Sequence, residues 1–488
     1  MDDAVADIVL VQPIANRFDK IATRIPNGLL AVAALPEKSG YTVKLVDCRV
    51  DDNWHDTLKN SISGRTICIG ITCSTGKMIL GALEVAKVAR SMNSNIPIVW
   101  GGPHPTLMPR QTLESPLVDM VVINEGDFVF MELVSALAKG TDLAVINGVG
   151  YKKDIEIKIN PSDTLIKDLN SLPVLPYHLL DMSKYSSLTL NNLPSIDIVT
   201  SRGCPHDCAF CSTPVTSNRF WRAASVERII GDIRFLQERY GIKIFYMVDD
   251  NFMVDLKRVE RFMGALKESG LKIYWGTQGV CVDTVNRMSV DFVKKLEESG
   301  CVELSIGVES ANPEILSMIN KKLKVGDVLA ANEKLSGRNF AVKFNMIIGF
   351  PGETMAGIKK TVNLALELYK KNKNTWFPFN IFTPFPGTQM FQKAIEYGFK
   401  PPTNLKGWAE LEATGWGRHF NHWMTRKENG LLESINCTSY LAFPSAFNRA
   451  SKKALKMMLK LYQPIAYLRF KHMFYFMHLE KMFLQGMD

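Results

Sequence analysis

Ser201-Arg-Gly-Cys-Pro-His-Asp-Cys-Ala-Phe-Cys-Ser-Thr213 is the stretch from which the fold and the chemistry of this chain are inferred. Its three cysteines, Cys204, Cys208 and Cys211, have C-x3-C-x2-C spacing. Three thiolates this close together can hold three irons of a cubane iron–sulfur cluster and leave the fourth iron open to a small molecule. An open iron predicts chemistry rather than plain electron transfer.

Two other interpretations of these cysteines predict different proteins. A structural zinc site normally has a fourth Cys or His ligand at short spacing, whereas the next cysteine, Cys281, lies seventy residues further on, and His206 within the loop does not by itself complete such a site. A disulfide framework does not suit a chain of 488 residues with nine cysteines and no secretory pattern at its start. The open cluster is the leading hypothesis, and zinc is the alternative.

Composition predicts a globular protein of two to three domains, with 46% hydrophobic and 22% charged residues. No apolar run approaches the roughly 18 residues of a spanning helix. The first residues show no targeting pattern, so a cytoplasmic location is expected, with peripheral attachment to the inner membrane face as a further possibility.

The positive charge is concentrated near the C-terminus, where residues 417–488 contain 11 basic and 4 acidic side chains, against 13 and 16 in residues 1–150. This bias predicts an anionic partner, either a membrane surface or a nucleic acid. A basic helix is expected around residues 449–462, followed by an interruption at Pro464. Its lysines and apolar residues occupy separate faces: Lys452, Lys456 and Lys460 on one, and Leu455, Met458, Leu459 and Tyr462 on the other. Such a helix can lie on an anionic bilayer, or it can dock on the domain with its lysines solvated.

Residues 1–140 alternate strand-like and helical stretches, a pattern typical of a doubly wound, flavodoxin-like parallel sheet. The predicted strands are Asp7–Val11, Thr42–Val46, Thr66–Thr72, Pro97–Trp100 and Met120–Ile123, with helices near 28–39, 76–93 and 127–138. Ligands bind beyond the carboxyl ends of such strands. Residues 141–193 are predicted to form a connector.

A second strand–helix repeat begins at Ser195 and predicts a partial (β/α)6 barrel of TIM type over residues 194–400, followed by a C-terminal helical region over 401–488. The predicted strands are Ser195–Thr200, Lys243–Val248, Lys272–Thr277, Val302–Val308, Lys343–Gly349 and Thr375–Phe382. The cysteine loop follows the first of them, where a barrel gathers its chemistry. Three tryptophans of the C-terminal region, either lining the mouth of the barrel or packed in a core, are Trp408, Trp416 and Trp423.

The cysteine loop resembles the cluster motif of the radical S-adenosylmethionine (SAM) enzymes, including an aromatic residue, Phe210, before the third cysteine. The resemblance covers roughly residues 7–400. It implies a [4Fe-4S] cluster on Cys204, Cys208 and Cys211, with SAM bound to the fourth iron. It also implies an external one-electron donor of the flavodoxin or ferredoxin type and formation of a 5′-deoxyadenosyl radical.

The same resemblance implies SAM contacts at the ends of three further strands. Val248-Asp-Asp-Asn-Phe252 stands where the family binds the SAM amino group, Gly307-Val-Glu-Ser310 resembles its acidic position, and Phe344–Thr354 its adenine-contacting segment, in which Glu353 either caps the next helix or touches the ligand. The implied SAM residues are Asp249, Asp250, Asn251, Glu309, Ser310, Gly349 and Gly352.

The strand-end loops of the first domain resemble those of cobalamin-binding domains. Hydroxyl groups there would bond the nucleotide tail, while glycines let the backbone approach a large flat ligand. The residues implied are Thr72, Ser74, Thr75, Gly101, Gly102, Pro103, His104, Glu125 and Gly126. Many such domains supply a histidine to cobalt from an Asp-x-His-x-x-Gly loop, but this chain has Asp47-Cys-Arg-Val-Asp-Asp52. A histidine-ligated cobalt is therefore not expected from that loop.

Together these features are similar to those of cobalamin-dependent radical SAM enzymes, and they imply methylation of an unactivated carbon in a hydrophobic small molecule. An oxidative cyclase or a rearrangement enzyme acting on a tetrapyrrole or isoprenoid is the alternative within the family. An RNA methylthiotransferase would need a second cluster on Cys48, Cys68 and Cys73, but these are expected to be buried apolar side chains. A nucleic acid partner is therefore not expected.

Overall fold

The computed structural model describes residues 5–16, 19, 24–162, 165–185, 193–411, 421–444 and 453–473, with the backbone alone for 453–456 and 458. It divides into two compact units, residues 1–185 with 401–413 and residues 186–400 with 414–488. No helix within the described ranges is both long enough and apolar enough to cross a membrane.

The first unit contains a seven-stranded sheet in the order β2-β1-β3-β4-β5-β6-β7. Its strands are β1 (Ile8–Gln12), β2 (Val43–Asp47), β3 (Cys68–Thr72), β4 (Ile98–Gly101), β5 (Met120–Val122), β6 (Val149–Lys153) and β7 (Glu156–Ile159). Its helices are α1 (Asn27–Lys38), α2 (Trp54–Ser61), α3 (Met78–Met92), α4 (Pro103–Leu107), α5 (Pro109–Leu113) and α6 (Gly126–Lys139). Strands β1 to β5 are parallel, in the order 2-1-3-4-5, which confirms the predicted flavodoxin-like sheet.

The core of this sheet forms because its strands are short apolar runs buried on both faces. All five residues of β1 are buried, as parallel strands covered by helices require. The hairpin β6–β7 pairs antiparallel with β5, so residues 149–159 extend the sheet.

The second unit contains parallel strands that neighbour one another in chain order, β8-β11-β12-β13-β14, with β15 and β16 both paired to β14. The strands are β8 (Ser195–Ile198), β9 (Ser201–Arg202), β10 (Arg222–Ala223), β11 (Ile244–Met247), β12 (Tyr274–Cys281), β13 (Cys301–Glu309), β14 (Ala341–Ile348), β15 (Thr375–Trp376) and β16 (Phe379–Ile381). The helices are α7 (Thr213–Ser217), α8 (Val226–Tyr240), α9 (Leu256–Ser269), α10 (Val282–Arg287), α11 (Val290–Glu298), α12 (Pro313–Met318), α13 (Val325–Leu335), α14 (Met355–Lys371) and α15 (Gln389–Glu396). This succession confirms the predicted strand–helix repeat and places the cysteine loop after its first strand.

The C-terminal region contributes to both units. Helix α16 (Leu405–Ala409) belongs to the first unit and packs on α3, whereas α17 (Arg426–Ala442) and α18 (Lys453–His472) belong to the second. The expected interruption at Pro464 is wrong, because α18 continues through that residue. Leu459 and Tyr462 pack on the buried cluster of Cys437, Leu441 and Ala466, which favours docking of this face on the unit. Lys452 and Trp416 lie outside the described residues.

Candidate active site

The cysteine loop is held at both ends by one carboxylate. Asp250 accepts a hydrogen bond from the Gly203 amide through Oδ2 (2.8 Å) and from the Thr213 hydroxyl through Oδ1 (3.1 Å). Gly203 directly precedes Cys204, and Thr213 is the second residue after Cys211. The spacing of the three thiols is therefore set by the turn after β11 as well as by their own sequence.

Asp249 anchors the strand that leads into the loop. Its buried carboxylate accepts bonds from the Thr200 amide (2.7 Å), the Thr200 hydroxyl (2.7 Å) and the Ser201 hydroxyl (2.6 Å). Arg258 donates to the carbonyl oxygen of Thr200 from the other side. Asp249 and Asp250 thus have structural partners in the loop, and a SAM contact by either remains a prediction.

Asn251, which follows Asp249 and Asp250, has a side-chain oxygen without a hydrogen-bond partner. Its Nδ2 lies 3.8 Å from the Sγ of Cys204 and 3.6 Å from the Sγ of Cys281, as a donor to both sulfurs. Its Oδ1 is buried and has no hydrogen-bond partner in the structure. A buried carbonyl oxygen without a partner is costly, and an ammonium group would satisfy it. A SAM contact by Asn251 remains a prediction, as it does for its two neighbours.

Backbone hydrogen bonds tie the middle of the loop to the end of α12 and to the first turn of α15. The Ala209 amide donates to the Ile319 carbonyl (2.9 Å), and the Met390 amide donates to the Ala209 carbonyl (2.9 Å). The Phe210 ring lies 6.2 Å from the Phe350 ring in an edge-to-face arrangement. The loop therefore contacts the segment that follows β14, where the sequence predicts adenine binding.

A buried ammonium lies close to the cysteine loop. Lys321 Nζ is 3.1 Å from Glu309 Oε1, and both side chains are largely buried. Burial alone would lower the pKa of Lys321, but the Glu309 carboxylate and the thiols of Cys208 and Cys281 raise it above its usual range. Gly307 makes room for this pair, since a Cβ there would lie 2.5 Å from Glu309 Oε1.

Glu309, at the predicted acidic position, is paired with Lys321. Glu309 has a positive φ of 71°, at a register shift between β13 and β14, which turns its side chain toward Lys321. Ser310 is buried, 3.3 Å from the Thr361 hydroxyl, and it accepts a bond from the Asn312 amide. SAM binding by Glu309 and Ser310 remains a prediction. Lys321 has no local sequence signal, because its partner lies twelve residues earlier.

Gly349 has both of its backbone polar groups bonded. Its N–H donates to Glu353 Oε2 (2.7 Å), and its carbonyl accepts from Asn421 Nδ2 (2.8 Å) and Trp423 Nε1 (3.0 Å). The Phe350 amide also donates to Glu353 (3.2 Å), whose other oxygen is buried without a partner. Burial raises the pKa of Glu353 to about 7, against the effect of these two amide donors.

The turn after β14 depends on a second glycine. Gly352 has φ of 78°, and a Cβ there would lie 2.8 Å from the Tyr397 hydroxyl. Thr354, rather than Glu353, caps α14 by accepting a bond from the Gly357 amide (3.2 Å). The glycines therefore serve the turn itself, and their contact with adenine remains a prediction.

In the first unit, the predicted cobalamin residues meet at the carboxyl ends of β3, β4 and β5. Thr72 is in register with Gly101, the Cys73 amide donates to the Gly101 carbonyl (2.8 Å), and the His104 amide donates to the Cys73 carbonyl (3.0 Å). A Cβ on Gly101 would meet only the Val122 side chain, at an ordinary contact distance of 4.0 Å. Gly102 has φ of 97°. This edge fits a flat ligand that approaches the backbone closely.

His104 lies beneath this edge and is buried. Its Nδ1 is 3.0 Å from the Thr75 hydroxyl, and burial lowers its pKa to about 4, so the ring is neutral. The Trp408 ring lies 5.9 Å from the His104 ring, and its indole N–H donates to Gln111. Sequence reasoning missed Gln111 and this role of Trp408, because the two residues are far apart in the chain.

The other four predicted cobalamin residues have contacts within the protein that differ from one residue to the next. Ser74 is half-buried, with its amide directed at the Met78 sulfur (3.4 Å), and Pro103 begins α4. Glu125 accepts a bond from the Ile166 amide (2.9 Å), while a Cβ on Gly126 would lie 3.0 Å from Val32. Cobalamin contacts by these four residues remain predictions.

The loop after β2, which lacks the cobalt-binding histidine, contains an ion pair. Arg49 donates to both oxygens of Asp47, at 2.9 and 2.7 Å, and the Tyr185 hydroxyl donates to Asp47 Oδ2 (3.0 Å). Both oxygens of the Asp47 carboxylate therefore accept hydrogen bonds from within the protein.

Three cysteines of the first unit do not form a second cluster site. Cys48, Cys68 and Cys73 are buried, and burial raises the pKa of the Cys68 thiol to about 12. Cys68 begins β3 and Cys73 follows its end, so the two are roughly 16 Å apart at about 3.3 Å per residue. This separation argues against a two-cluster methylthiotransferase.

A thiol loop at the end of a parallel strand, together with a doubly wound ligand-binding unit, defines an enzyme that combines a metal cluster with a large flat cofactor. Comparison with known proteins makes this class specific. The model of the radical SAM superfamily matches residues 198–365, and that of the B12 binding domain matches residues 23–134. An uncharacterized methyltransferase of Pyrococcus horikoshii is 33% identical over 417 residues, which are 85% of this chain and 88% of that protein.

Two further comparisons extend the match. The anaerobic magnesium-protoporphyrin IX monomethyl ester cyclase of Rubrivivax gelatinosus is 26% identical, over 75% of this chain and 66% of that protein. The solved structure of the cobalamin-dependent SAM radical enzyme OxsB, with aqua-cobalamin and SAM bound, has a TM-score of 0.74 at 17% identity. It covers 99% of this chain and 75% of that chain, and it shows a shared fold.

The chain belongs to the radical SAM enzymes that carry a B12-binding domain, in a branch that includes methyltransferases. The cofactors are those of that family: a [4Fe-4S] cluster, SAM and cobalamin. Such an enzyme uses an external electron donor and acts on a small molecule. The family expected from the cysteine loop is confirmed, and the zinc alternative is wrong.

Proposed function

We propose that the protein transfers a methyl group to an unactivated carbon of a hydrophobic small molecule. The observation that carries this proposal is the 33% identity to a methyltransferase over most of both chains, joined to a cysteine loop that is complete and held at both ends. When bound, SAM and the cluster supply a 5′-deoxyadenosyl radical, and cobalamin carries the methyl group.

The residues of the chain would contribute binding, orientation and exclusion of water. Cys204, Cys208 and Cys211 would hold the cluster, and Asn251 Oδ1 would accept a bond from the SAM ammonium. The turn at Gly349 offers a rigid backbone edge, because its N–H and carbonyl are already fixed by three partners. Preorganised groups of this kind favour one geometry of the bound nucleoside.

Ring formation is the second candidate, favoured by the similarity to a cyclase whose name states a tetrapyrrole ester as its substrate. That similarity is weaker, at 26% identity, than the similarity to the methyltransferase. Both candidates agree on a hydrophobic substrate.

The test uses enzyme purified without oxygen, reconstituted with iron, sulfide and cobalamin, and supplied with a reductant. About four irons per chain are expected. SAM with a deuterated methyl group is incubated with panels of isoprenoid lipids and tetrapyrrole esters. A product that gains the labelled methyl supports the proposal, whereas a cyclised product without label overturns it in favour of the second candidate.

A matched pair of variants separates the chemistry from folding. Cys208→Ala should abolish 5′-deoxyadenosine formation, since the cluster loses one of its ligands. Cys301→Ala removes a buried thiol of β13 that lies outside the loop and should retain activity. Persistence of 5′-deoxyadenosine in Cys208→Ala would refute the assigned ligands.

A contact with an anionic membrane surface is the second part of the proposal. In the part of α18 whose side chains are described, the exposed apolar residues are spaced as one stripe: Met457, Leu461, Ile465 and Leu468. Lys460 and Lys471 are exposed on the same helix. Such a helix suits the inner face of a membrane from which a hydrophobic substrate is drawn. Leu461→Asp should weaken sedimentation with anionic vesicles, and equal binding by both proteins would contradict this part.

A further inference from the structure

Three potential metal ligands lie close together beside the cysteine loop. They are His206 within the loop, Cys281 at the end of β12, and Asp283 in the first turn of α10. One ligand atom from each lies within 4.8 Å of the other two. In a tetrahedral site with metal–ligand bonds of about 2.0–2.3 Å, such atoms are roughly 3.3–3.8 Å apart. Side-chain movements of about 1 Å would therefore close the group around an ion.

We propose that His206, Cys281 and Asp283 bind a divalent cation of zinc type, separate from the iron–sulfur cluster. An imidazole nitrogen, a thiolate and a carboxylate form a ligand set that suits Zn²⁺. Three protein ligands leave one coordination position for water or for an oxygen of a small molecule. On binding, the Cys281 thiol loses its proton to solvent and the sulfur becomes the ligand.

The surroundings of Cys281 support this assignment. The Asn251 amide lies 3.6 Å from its sulfur as a donor, the kind of outer hydrogen bond that orients a metal-bound thiolate. The rest of that amide is buried and its Oδ1 has no partner. The Cys281 sulfur is thus within reach of a polar donor as well as of two further ligand atoms.

The charges nearby are compatible with one divalent ion. Asp283 has an exposed contact with Arg287, at 3.7 Å, and such pairs contribute little. Lys321 is a buried cation that interacts with both Cys281 and His206, and Glu309 balances its charge at 3.1 Å. The two negative charges of the Cys281 thiolate and the Asp283 carboxylate would balance the charge of a divalent ion.

The experiment uses the reconstituted enzyme, in which Cys204, Cys208 and Cys211 are occupied by the cluster. The protein is treated with a mild chelator and dialysed against Zn²⁺, and zinc, iron and cobalamin are counted in the same sample. About one zinc per chain is expected, with the iron content unchanged. Zinc-edge X-ray absorption should show one sulfur at about 2.3 Å and nitrogen or oxygen at about 2.0–2.1 Å.

Variants identify the ligands. Cys281→Ser and His206→Asn should each lower the zinc affinity at least tenfold while the iron content stays the same, and Cys301→Ser should leave both unchanged. Absence of saturable zinc, an unchanged affinity in Cys281→Ser, or a zinc spectrum with three sulfurs would overturn the proposal. The absorption spectrum of the unaltered enzyme decides the question even if a variant fails to fold. A sample without iron or cobalamin would count against the proposed function instead.

Discussion

Replacing Glu353 by glutamine tests whether a carboxyl group is kept nearly neutral beside the predicted adenine segment. Glu353 Oε2 accepts bonds from the Gly349 and Phe350 amides, while Oε1 is buried without a partner. Burial raises its pKa from the ordinary value of 4.5 to about 7. At about 1.4 kcal/mol per tenfold change in proton affinity, this corresponds to about 3 kcal/mol.

The raised pKa of Glu353 determines how the stability of the protein changes with pH. The folded chain binds this proton more tightly than the unfolded chain, so its contribution to stability is complete below about pH 4.5. That contribution is lost as the pH rises through about 7. A glutamine keeps the carbonyl oxygen that both amides need, and it does not ionise. Glu353→Gln should therefore match the native protein below about pH 4.5, exceed it slightly at pH 5, and exceed it by about 3 kcal/mol at pH 8.

Urea unfolding at pH 5, 6, 7 and 8 measures the difference, with tryptophan fluorescence as the signal because Trp423 is bonded to the same turn. Glu396→Gln is the control, since it removes the charge of an exposed carboxylate on α15 instead of a buried one. If Glu353→Gln is less stable than the native protein at pH 8, the carboxylate is charged and stabilising, and the reasoning is refuted.

Three further substitutions probe the remaining contacts. Asp249→Asn should lower the free energy of unfolding by about 2 kcal/mol and reduce bound iron, because an amide offers one acceptor oxygen where two carboxylate oxygens accept three bonds; unchanged iron content would contradict this. Lys321→Met should cost about 3 kcal/mol by leaving the Glu309 carboxylate unpaired, and adding Glu309→Gln should recover most of it in a double-mutant cycle; additive losses would show that the pair is not coupled. Gly102→Ala should lower the cobalamin bound per chain because of its positive φ and a carbonyl oxygen 3.0 Å from the new Cβ, whereas Gly28→Ala, with open space around it, should bind normally; equal retention in both would count against the predicted site.

The order of strands and the place of the chemistry could be predicted from the sequence because both depend on local patterns. Alternating apolar strands and helices predict parallel sheets, and β1 to β5 together with β8, β11, β12, β13 and β14 lie within a few residues of their predicted positions. The helix through Pro464 was not predictable in this way. Packing of Leu459, Tyr462 and Ala466 on the second unit outweighs the backbone bond that the proline removes.

The sequence by itself determined the family, because three cysteines at close spacing carry a metal chemistry that does not depend on the rest of the chain. It also determined which strand ends would meet. Only the tertiary structure decided what each side chain there contacts: Asp249 and Asp250 hold the cysteine loop, Lys321 neutralises Glu309, and Cys281 lies near Cys204. These partners are 12 to about 80 residues apart, and the free energy of such contacts depends on burial and on distances that no local spacing encodes.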